Sequence, residues 1–146
     1  MDKDDYIKVQ FYLEQDEDGY PPCSVENLWC FKTPNGSFIV DNIPFYTYDI
    51  SLGDEISIIE KGGDFIFQSI YKKSQNSTLR LYFDDIRREV VKQQLIQMGC
   101  RIEGSNIPSL FAVNVPFDVS LKEVENTIQV LKKEYEELEY EHGSIR

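Results

Sequence analysis

The spacing of apolar residues changes halfway along the chain, and this change constrains the fold more than any other feature. In the first half, short runs alternate apolar and polar residues; the first spans Tyr6 to Leu13, with Ile7, Val9 and Phe11 turned to one face. Such alternation is typical of half-buried β-strands. In the second half, two longer segments repeat their apolar residues with the period of a helix. The sequence therefore predicts an α+β protein whose helices all lie in its second half.

Turn signals divide the first half into consecutive strands. Pro34-Asn35-Gly36 predicts a hairpin across residues 25–40, and Gly62-Gly63 predicts a second one across residues 55–71, because such residues accept the backbone angles of tight turns. We expect residues 1–73 to form an antiparallel β meander or a small partial barrel.

Strands and helices alternate in residues 74–146. A strand at Thr78 to Phe83 precedes a helix that we expect to begin at Asp84-Asp85, and a second helix should begin at Ser120, where Ser120 and Glu123 form a capping box. The resulting order is β-α-β-β-α-β, the ferredoxin-like split motif, and we expect this half to pack with the first as one unit. The apolar stripe predicted for the first helix is Ile86, Val90, Val91, Leu95 and Met98.

The charge balance disfavours two classes of partner. The chain has 26 acidic and 15 basic residues, a formal net charge of −11, and 14 of the acids against 6 of the bases fall in residues 1–73. A field of this sign repels nucleic-acid phosphates and anionic membranes. Since the chain also opens without a basic and apolar leader pattern, we expect a cytoplasmic protein that binds neither nucleic acid nor membrane.

No residue pattern indicates catalysis, a metal or a cofactor. His142 is the only histidine and lies in a polar tail, so we expect it to be a frayed surface residue. In that position it would not act as the general base for a Ser or Cys nucleophile. Cys23, Cys30 and Cys100 lack the spacing of a zinc site, and strand-like contexts suggest that two of them are reduced core thiols. Several carboxylates lie in turn-like contexts that predict full solvation and so argue against acid–base chemistry. These are Asp16, Glu17, Asp18, Asp54, Asp84 and Asp85.

The remaining candidate site is a surface where aromatic and acidic residues occur together. Interfaces favour rigid aromatic side chains at their centre and charges at their rim, so we predict a partner-binding role for tyrosines beside carboxylates and for the acidic carboxy-terminal run. The predicted partner-binding residues are Glu14, Asp16, Glu17, Asp18, Tyr20, Tyr46, Tyr48, Glu134, Glu136, Glu137, Glu139 and Glu141.

Five segments together resemble a bacterial domain-of-unknown-function family, number four-two-six-five. The resemblance implies a small intracellular protein without established activity or catalytic residues, and some members of the family look like immunity proteins of toxin systems. The chain departs from the commoner pattern in its acidic, tyrosine-rich end at residues 134–141. The segments are LEQDEDGYPPCSVENLW (13–29), FIVDNIPFY (38–46), SLGDEI (51–56), STLRL (77–81) and GCRIEGSNIPSLFAVNVP (99–116).

These observations lead to one leading hypothesis and three alternatives. The leading hypothesis is a non-enzymatic immunity protein that occludes the active site of a cognate toxin with a basic effector domain, such as a nuclease. The alternatives are a ferredoxin-like module that binds a small regulatory ligand, a hydrolase that works through paired carboxylates, and an RNA-binding sheet around Arg80, Tyr82 and Phe111. The net charge and the lack of a basic-aromatic run disfavour the last alternative.

Overall fold

The computed structural model describes residues 5–146, which divide into two compact units. The first unit ends at Ser74 and the second runs from Gln75 to Arg146. Residues 1–4, with which the predicted first half begins, lie outside the described residues. The described chain is α+β, as predicted, and its helices belong to the second unit.

Among the described residues, five strands form the first unit. Consecutive strands pair antiparallel, and the first strand also pairs in parallel with the last, at Val9 with Phe65 and Gln10 with Ile66. The predicted meander is therefore present, but it closes into a complete barrel, because five alternating strands bring the first and last side by side in the same direction. The strands are β1 (Tyr6–Tyr12), β2 (Val25–Lys32), β3 (Phe38–Val40), β4 (Glu55–Lys61) and β5 (Asp64–Lys72).

The barrel core follows from the alternation in the sequence. Val9 and Phe11 of β1 point inward and are almost fully buried, and the ring of Phe11 stacks on that of Phe67 with centroids 4.9 Å apart. Register shifts between β4 and β5 bend the pair and so help the sheet to curl. Gly62 and Gly63 both have positive φ, of 60° and 85°, as a tight two-residue hairpin requires.

The second unit is a four-stranded antiparallel sheet with two helices. The sheet order is β7-β8-β6-β9, and the core joins sheet residues such as Leu81 and Val113 to Val91, Leu95 and Ile128 of the helices. The elements are β6 (Ser77–Tyr82), α1 (Arg88–Gln97), β7 (Arg101–Gly104), β8 (Leu110–Val115), α2 (Leu121–Glu134) and β9 (Glu139–His142).

The start of α2 was predicted correctly and the start of α1 was not. Ser120 is the N-cap of α2, and its hydroxyl accepts a hydrogen bond from the Glu123 N–H at 3.2 Å. By contrast, α1 begins at Arg88, and Ile86 of the predicted stripe is 86% exposed. The carboxylate of Asp85 explains why the helix begins later than predicted. It accepts hydrogen bonds from the Arg87 backbone N–H (2.8 Å) and guanidinium (2.7 and 2.9 Å) and so stabilises a turn before the helix.

No helix in the described residues is long and apolar enough to cross a membrane.

We predict that Gly99→Ala lowers the free energy of unfolding by about 2 kcal/mol, because left-handed strain alone costs roughly 1–3 kcal/mol. Gly99 has φ of 105°, and a Cβ there would meet Val119 Cγ2 at 2.9 Å. The matched control is Gly104→Ala, since a Cβ at Gly104 meets nothing within 4 Å. Urea unfolding of both variants measures the difference, and equal stability would show that the α1–β7 turn tolerates a side chain.

Candidate functional site

A cleft of about 690 Å³ opens on the barrel unit. The end of β1 and the residues just after it contribute to the lining, together with the segment that joins β3 to β4 and part of β5. The lining residues are Phe11, Tyr12, Leu13, Glu14, Pro21, Tyr46, Thr47, Tyr48, Asp49, Ile50, Phe67 and Ile70.

The lining combines rings, aliphatic groups and carboxylates. Tyr12 is 65% exposed and Tyr48 is 56% exposed, so solvent reaches a large part of both side chains. Glu14 and Asp49 supply negative charge, and none of the described lining residues is basic. Exposed aromatic rings beside carboxylates suit a ligand that is partly apolar and positively charged.

A buried carboxylate shapes one side of the cleft. Glu26 on β2 is only 9% exposed, and its carboxylate accepts hydrogen bonds from the backbone N–H groups of Phe45 (2.7 Å), Tyr46 (3.2 Å) and Thr47 (2.8 Å). The Thr47 hydroxyl also donates to it, at 2.6 Å. Because hydrogen bonds to a charged acceptor are stronger than neutral ones, Glu26 fixes the backbone from which Tyr46 and Tyr48 project.

Two further aspartates shape the same segment. Asp54 is fully buried and accepts hydrogen bonds from the N–H groups of Ser51 (3.0 Å) and Ser74 (2.8 Å), so the prediction that it is solvated was wrong. Its place after Ser51-Leu52-Gly53 makes it part of the turn itself. Asp49 has φ of 65°, a left-handed conformation that Asp adopts more readily than most residues.

Glu14, Tyr46 and Tyr48, which the sequence analysis proposed for partner binding, come together in this cleft. Tyr20, 42% exposed, packs edge-on against Tyr46 with ring centroids 6.3 Å apart. Asp16 has a local role instead, because its Oδ1 accepts hydrogen bonds from the N–H groups of Asp18 and Tyr20, both at 2.9 Å.

The acidic carboxy-terminal run is divided among the end of α2, the turn that follows it and β9. Glu134, Glu136 and Glu137 line a hollow of about 330 Å³ together with Asp85 and Arg87. Hydrogen bonds from Arg87 lower the pKa of Asp85 to about 2, so this hollow contains a tight ion pair beside its acids.

The other two acids of the run lie on the edge strand β9 of the second unit. Glu139 pairs with Tyr82, and Glu141 pairs with Arg80, whose guanidinium lies 3.6 Å from the Glu141 carboxylate. Glu139 and Glu141 do not line the hollow.

His142 is exposed, as predicted, but it lies in β9 and not in a frayed tail. Its Nε2 lies within hydrogen-bond distance of Glu125 Oε1 on α2. The Tyr140 hydroxyl donates to the same oxygen at 3.1 Å and accepts from Gln129 Nε2 at 3.3 Å. This network links β9 to α2.

The cysteines are separate from the cleft. Cys30 and Cys100 are buried, as predicted for two of the three. Burial raises the pKa of the Cys30 thiol to about 12, with a further contribution from the Asp41 charge, and burial raises the pKa of Cys100 to about 11. No group of three or more His, Cys, Asp or Glu side chains within residues 5–146 is placed to hold a metal ion.

Glu26, Tyr12 and Asp49 were not among the residues predicted for the site. Tyr12 was visible as a large ring at the end of the first strand. The signal for Glu26 was weaker. Leu28 and Cys30, two and four residues after Glu26 in the same strand, are apolar. Because side chains alternate along a strand, Glu26 shares their inward face.

Comparisons with known proteins place the fold but give no activity. A family model described as "Domain of unknown function (DUF4265)" matches residues 26–138. A solved structure described as "Novel crystal structure of a hypothetical protein from Neisseria gonorrhoeae" is similar, with a TM-score of 0.77 and 18% sequence identity over 94% of each chain. That likeness shows a shared fold. No curated protein matches the chain.

We predict that Glu26→Gln lowers the free energy of unfolding by about 2 kcal/mol, because hydrogen bonds to a charged group are worth ~1.5–3 kcal/mol. The side-chain NH2 group of glutamine would also face the backbone N–H donors of residues 45–47. Amide hydrogen exchange at residues 45–47 should become faster. Glu17→Gln is the control, since Glu17 is exposed and its change should stay within about 0.5 kcal/mol. If the amides of residues 45–47 exchange as slowly in Glu26→Gln as in the wild type, Glu26 does not hold this backbone in place.

A second prediction concerns alkylation of the thiols in the native protein. The thiolate is the reactive form, so a raised pKa slows the reaction at pH 8 and the rate should climb as pH rises. Burial raises the pKa of Cys23 as well, and the Glu26 charge adds to this, but Cys23 is partly exposed. Iodoacetamide followed by peptide mass spectrometry should therefore modify Cys23 first, and Cys30 and Cys100 only in denaturant. Early labelling of Cys30 would contradict its burial.

Proposed function

We propose that this chain, which belongs to the DUF4265 family, is a non-enzymatic protein-binding module of the immunity type. In this proposal the chain acts in the cytoplasm and holds a cognate toxin through the cleft on its barrel unit, covering the basic active site of the toxin's effector domain. A nuclease is the effector class that best fits, because an active site that binds nucleic-acid phosphates is positively charged.

The observation that carries the proposal is the composition of the cleft. Residues separated in the sequence, among them Tyr12 and Tyr48, line one cavity with exposed rings and two carboxylates. Rings of this kind provide large contact areas at low entropic cost and are typical of interface hot spots. The hydrogen bonds of Glu26 hold one side of the cleft in place before a partner arrives, which reduces the cost of binding.

Charge supports a basic partner. Residues 1–73, which supply the whole cleft, hold 14 acidic and 6 basic residues. An excess of this size accelerates encounter with a positively charged protein and disfavours acidic competitors. Glu17 and Asp18 are exposed outside the cleft, so in this proposal they steer the partner without touching it.

The placement of the reactive side chains supports a role without catalysis. Burial raises the pKa of the Cys30 and Cys100 thiols, which disfavours the nucleophilic thiolate. Glu26 and Asp54, the two buried carboxylates in the described part of the barrel unit, accept hydrogen bonds from backbone N–H groups of that unit. Both roles are structural.

The second candidate is a ferredoxin-like module that binds a small regulatory ligand. The order of elements from β6 to β9 and the sheet order β7-β8-β6-β9 support a ferredoxin-like assignment of the second unit. Ligand binding between paired sheets needs an open sheet face, however. Thr78, Arg80 and Asn114 lie on alternate positions to the core residues Leu79 and Val113 and are at most 4% exposed, so these three positions are not open to a ligand. We therefore favour the protein-binding role.

We predict that a cleft variant loses a partner that the wild-type chain retains. The chain should be used to capture proteins from the source organism in three forms: wild type, Tyr48→Ser and Tyr71→Ser. Tyr71 is the matched control, because it is a 75% exposed tyrosine of the same unit that does not line the cleft. The expected result is a basic protein retained by wild type and by Tyr71→Ser, with binding to Tyr48→Ser weaker by roughly 2 kcal/mol or more if Tyr48 is a hot spot.

The captured protein should then be expressed alone and with each form of the chain. An immunity role requires growth arrest in the first case and rescue by wild type and Tyr71→Ser, with poor rescue by Tyr48→Ser. A partner that arrests no growth would overturn the immunity role. Equal capture by all three forms would show that the partner binds outside the cleft.

A further inference from the structure

We infer that the cleft on the barrel unit receives an uncharged aromatic side chain of the partner protein, carried by a segment that has basic residues on either side of it. This inference rests on the proposed function and deepens it, because it names the group that the cleft recognises. It follows from the exposure of each lining residue, the ring contacts of the barrel and the acids of the loop beside the cleft.

The lining changes from apolar to polar between the floor and the mouth of the cleft. Phe11 and Ile50 are 1% and 2% exposed, so they belong to the floor. Leu13, Phe67 and Ile70 are partly exposed and form apolar walls. A group that enters the cleft therefore meets apolar side chains inside it. The exposed lining residues, which mark the mouth, are Tyr12, Glu14, Tyr48 and Asp49.

This arrangement favours an uncharged occupant. A group that covers Leu13, Phe67 and Ile70 removes apolar surface from water, which is favourable. A charged group at the same depth would lose its hydration, since the carboxylates of the described lining belong to exposed residues at the mouth. An apolar group gains from the walls and needs neither carboxylate.

The rings of the lining favour an aromatic group over an aliphatic one. Phe67 in the wall stacks on Phe11, with ring centroids 4.9 Å apart and 22° between the planes, and Tyr12 lies at the mouth with 65% exposure. A planar group therefore meets rings both in the wall and at the mouth, and ring pairs are favourable beyond the area that they bury. Hot spots also tend to pair across an interface, and tryptophan is enriched among them whereas leucine is rare.

Acids beside the cleft favour basic residues on either side of the aromatic one. Glu14 lies at the mouth, and Glu17 and Asp18 belong to the loop that follows it; all three are exposed. The loop returns to the cleft at Pro21, another lining residue, so both of its ends reach the cleft. Its negative field attracts a basic segment and repels an acidic one.

Hydrogen bonds hold this loop in shape. The Oδ1 atom of Asp16 accepts from the N–H groups of Asp18 and Tyr20, both at 2.9 Å, and Gln15 Nε2 donates to the Pro21 carbonyl at 2.9 Å. The opposite segment, residues 45–47, is held by the buried Glu26. A cleft whose sides are already in place spends little of its binding energy on ordering them.

The test uses three capped tripeptides, Lys-Trp-Lys, Lys-Leu-Lys and Glu-Trp-Glu, titrated into the whole chain and followed by NMR. We expect Lys-Trp-Lys to bind with millimolar affinity and to shift the methyl signals of Leu13, Ile50 and Ile70 through the ring current of its indole. Lys-Leu-Lys should bind at least about tenfold more weakly, the equivalent of ~1.4 kcal/mol. Glu-Trp-Glu should bind several-fold more weakly at low salt, and the difference between the two tryptophan peptides should shrink as added salt screens the charges.

Matched variants locate the binding. Tyr12→Ser and Leu13→Ala should each weaken Lys-Trp-Lys several-fold, whereas Tyr71→Ser should not, because Tyr71 is exposed on the same unit outside the lining. Glu14→Gln should reduce the preference for Lys-Trp-Lys over Glu-Trp-Glu. Its control is Glu60→Gln, an exposed glutamate outside the lining, which should keep that preference. Amide spectra of each variant establish that the barrel has kept its fold.

The outcomes separate this inference from the proposed function. Equal binding of Lys-Trp-Lys and Lys-Leu-Lys, or no binding at millimolar concentrations, overturns the aromatic site, even if the toxin partner is captured by the wild type and lost on Tyr48→Ser. Equal binding of the two tryptophan peptides at low salt overturns the role given to the acids. Tryptophan binding that depends on the cleft, with no growth-arresting partner, supports the site and overturns the immunity role.

Discussion

The cleft depends on one buried interaction, the carboxylate of Glu26 with the backbone of residues 45–47. A carboxylate that is 9% exposed costs free energy unless its oxygens are satisfied, and three backbone N–H groups with one hydroxyl satisfy them. The long connection between β3 and β4 thereby gains a fixed shape without a strand or helix of its own. Tyr46 and Tyr48 then project from a stable backbone, so the aromatic lining is a property of the folded barrel and does not require a partner to form it.

The same barrel explains why large rings are tolerated on its surface. Phe11 and Phe67 stack inside and bury apolar area that stabilises the unit, whereas Tyr12, next to Phe11 in β1, is 65% exposed. Alternation along one strand thus supplies a core ring and a surface ring at adjacent positions. Exposed apolar surface of this kind contributes little to folding and is a common mark of an interaction site. Stability and binding therefore rest on different side chains of the same strand.

Local patterns predicted most of the elements but not the buried polar groups. The alternation in β1, the Gly62-Gly63 hairpin and the Ser120 cap are each determined by residues close in sequence, and the structure confirms them. Glu26 acts across about twenty residues and Asp54 reaches Ser74. For this reason Glu26 was missed, and Asp54 was predicted to be solvated although the fold buries it. The start of α1 was misplaced for a related reason, since an apolar stripe that includes Ile86 ignores the turn that Asp85 forms with Arg87. His142 was misread because its partner, Glu125, lies on another element.

The positions of the two predicted acidic clusters in the structure show when acids that are adjacent in sequence share a surface. Glu14 reached the cleft because it follows β1 directly, where the chain leaves the barrel beside the connection that carries Tyr48. Within the carboxy-terminal run, α2 ends at Glu134 and β9 begins at Glu139, so the acids belong to different elements. Glu141 also forms an ion pair with Arg80. A run of charge becomes a single surface only where one element carries it or where a fixed loop brings its members together. In the barrel unit the buried carboxylate of Glu26 fixes such a loop, and there carboxylates and aromatic rings line one cleft.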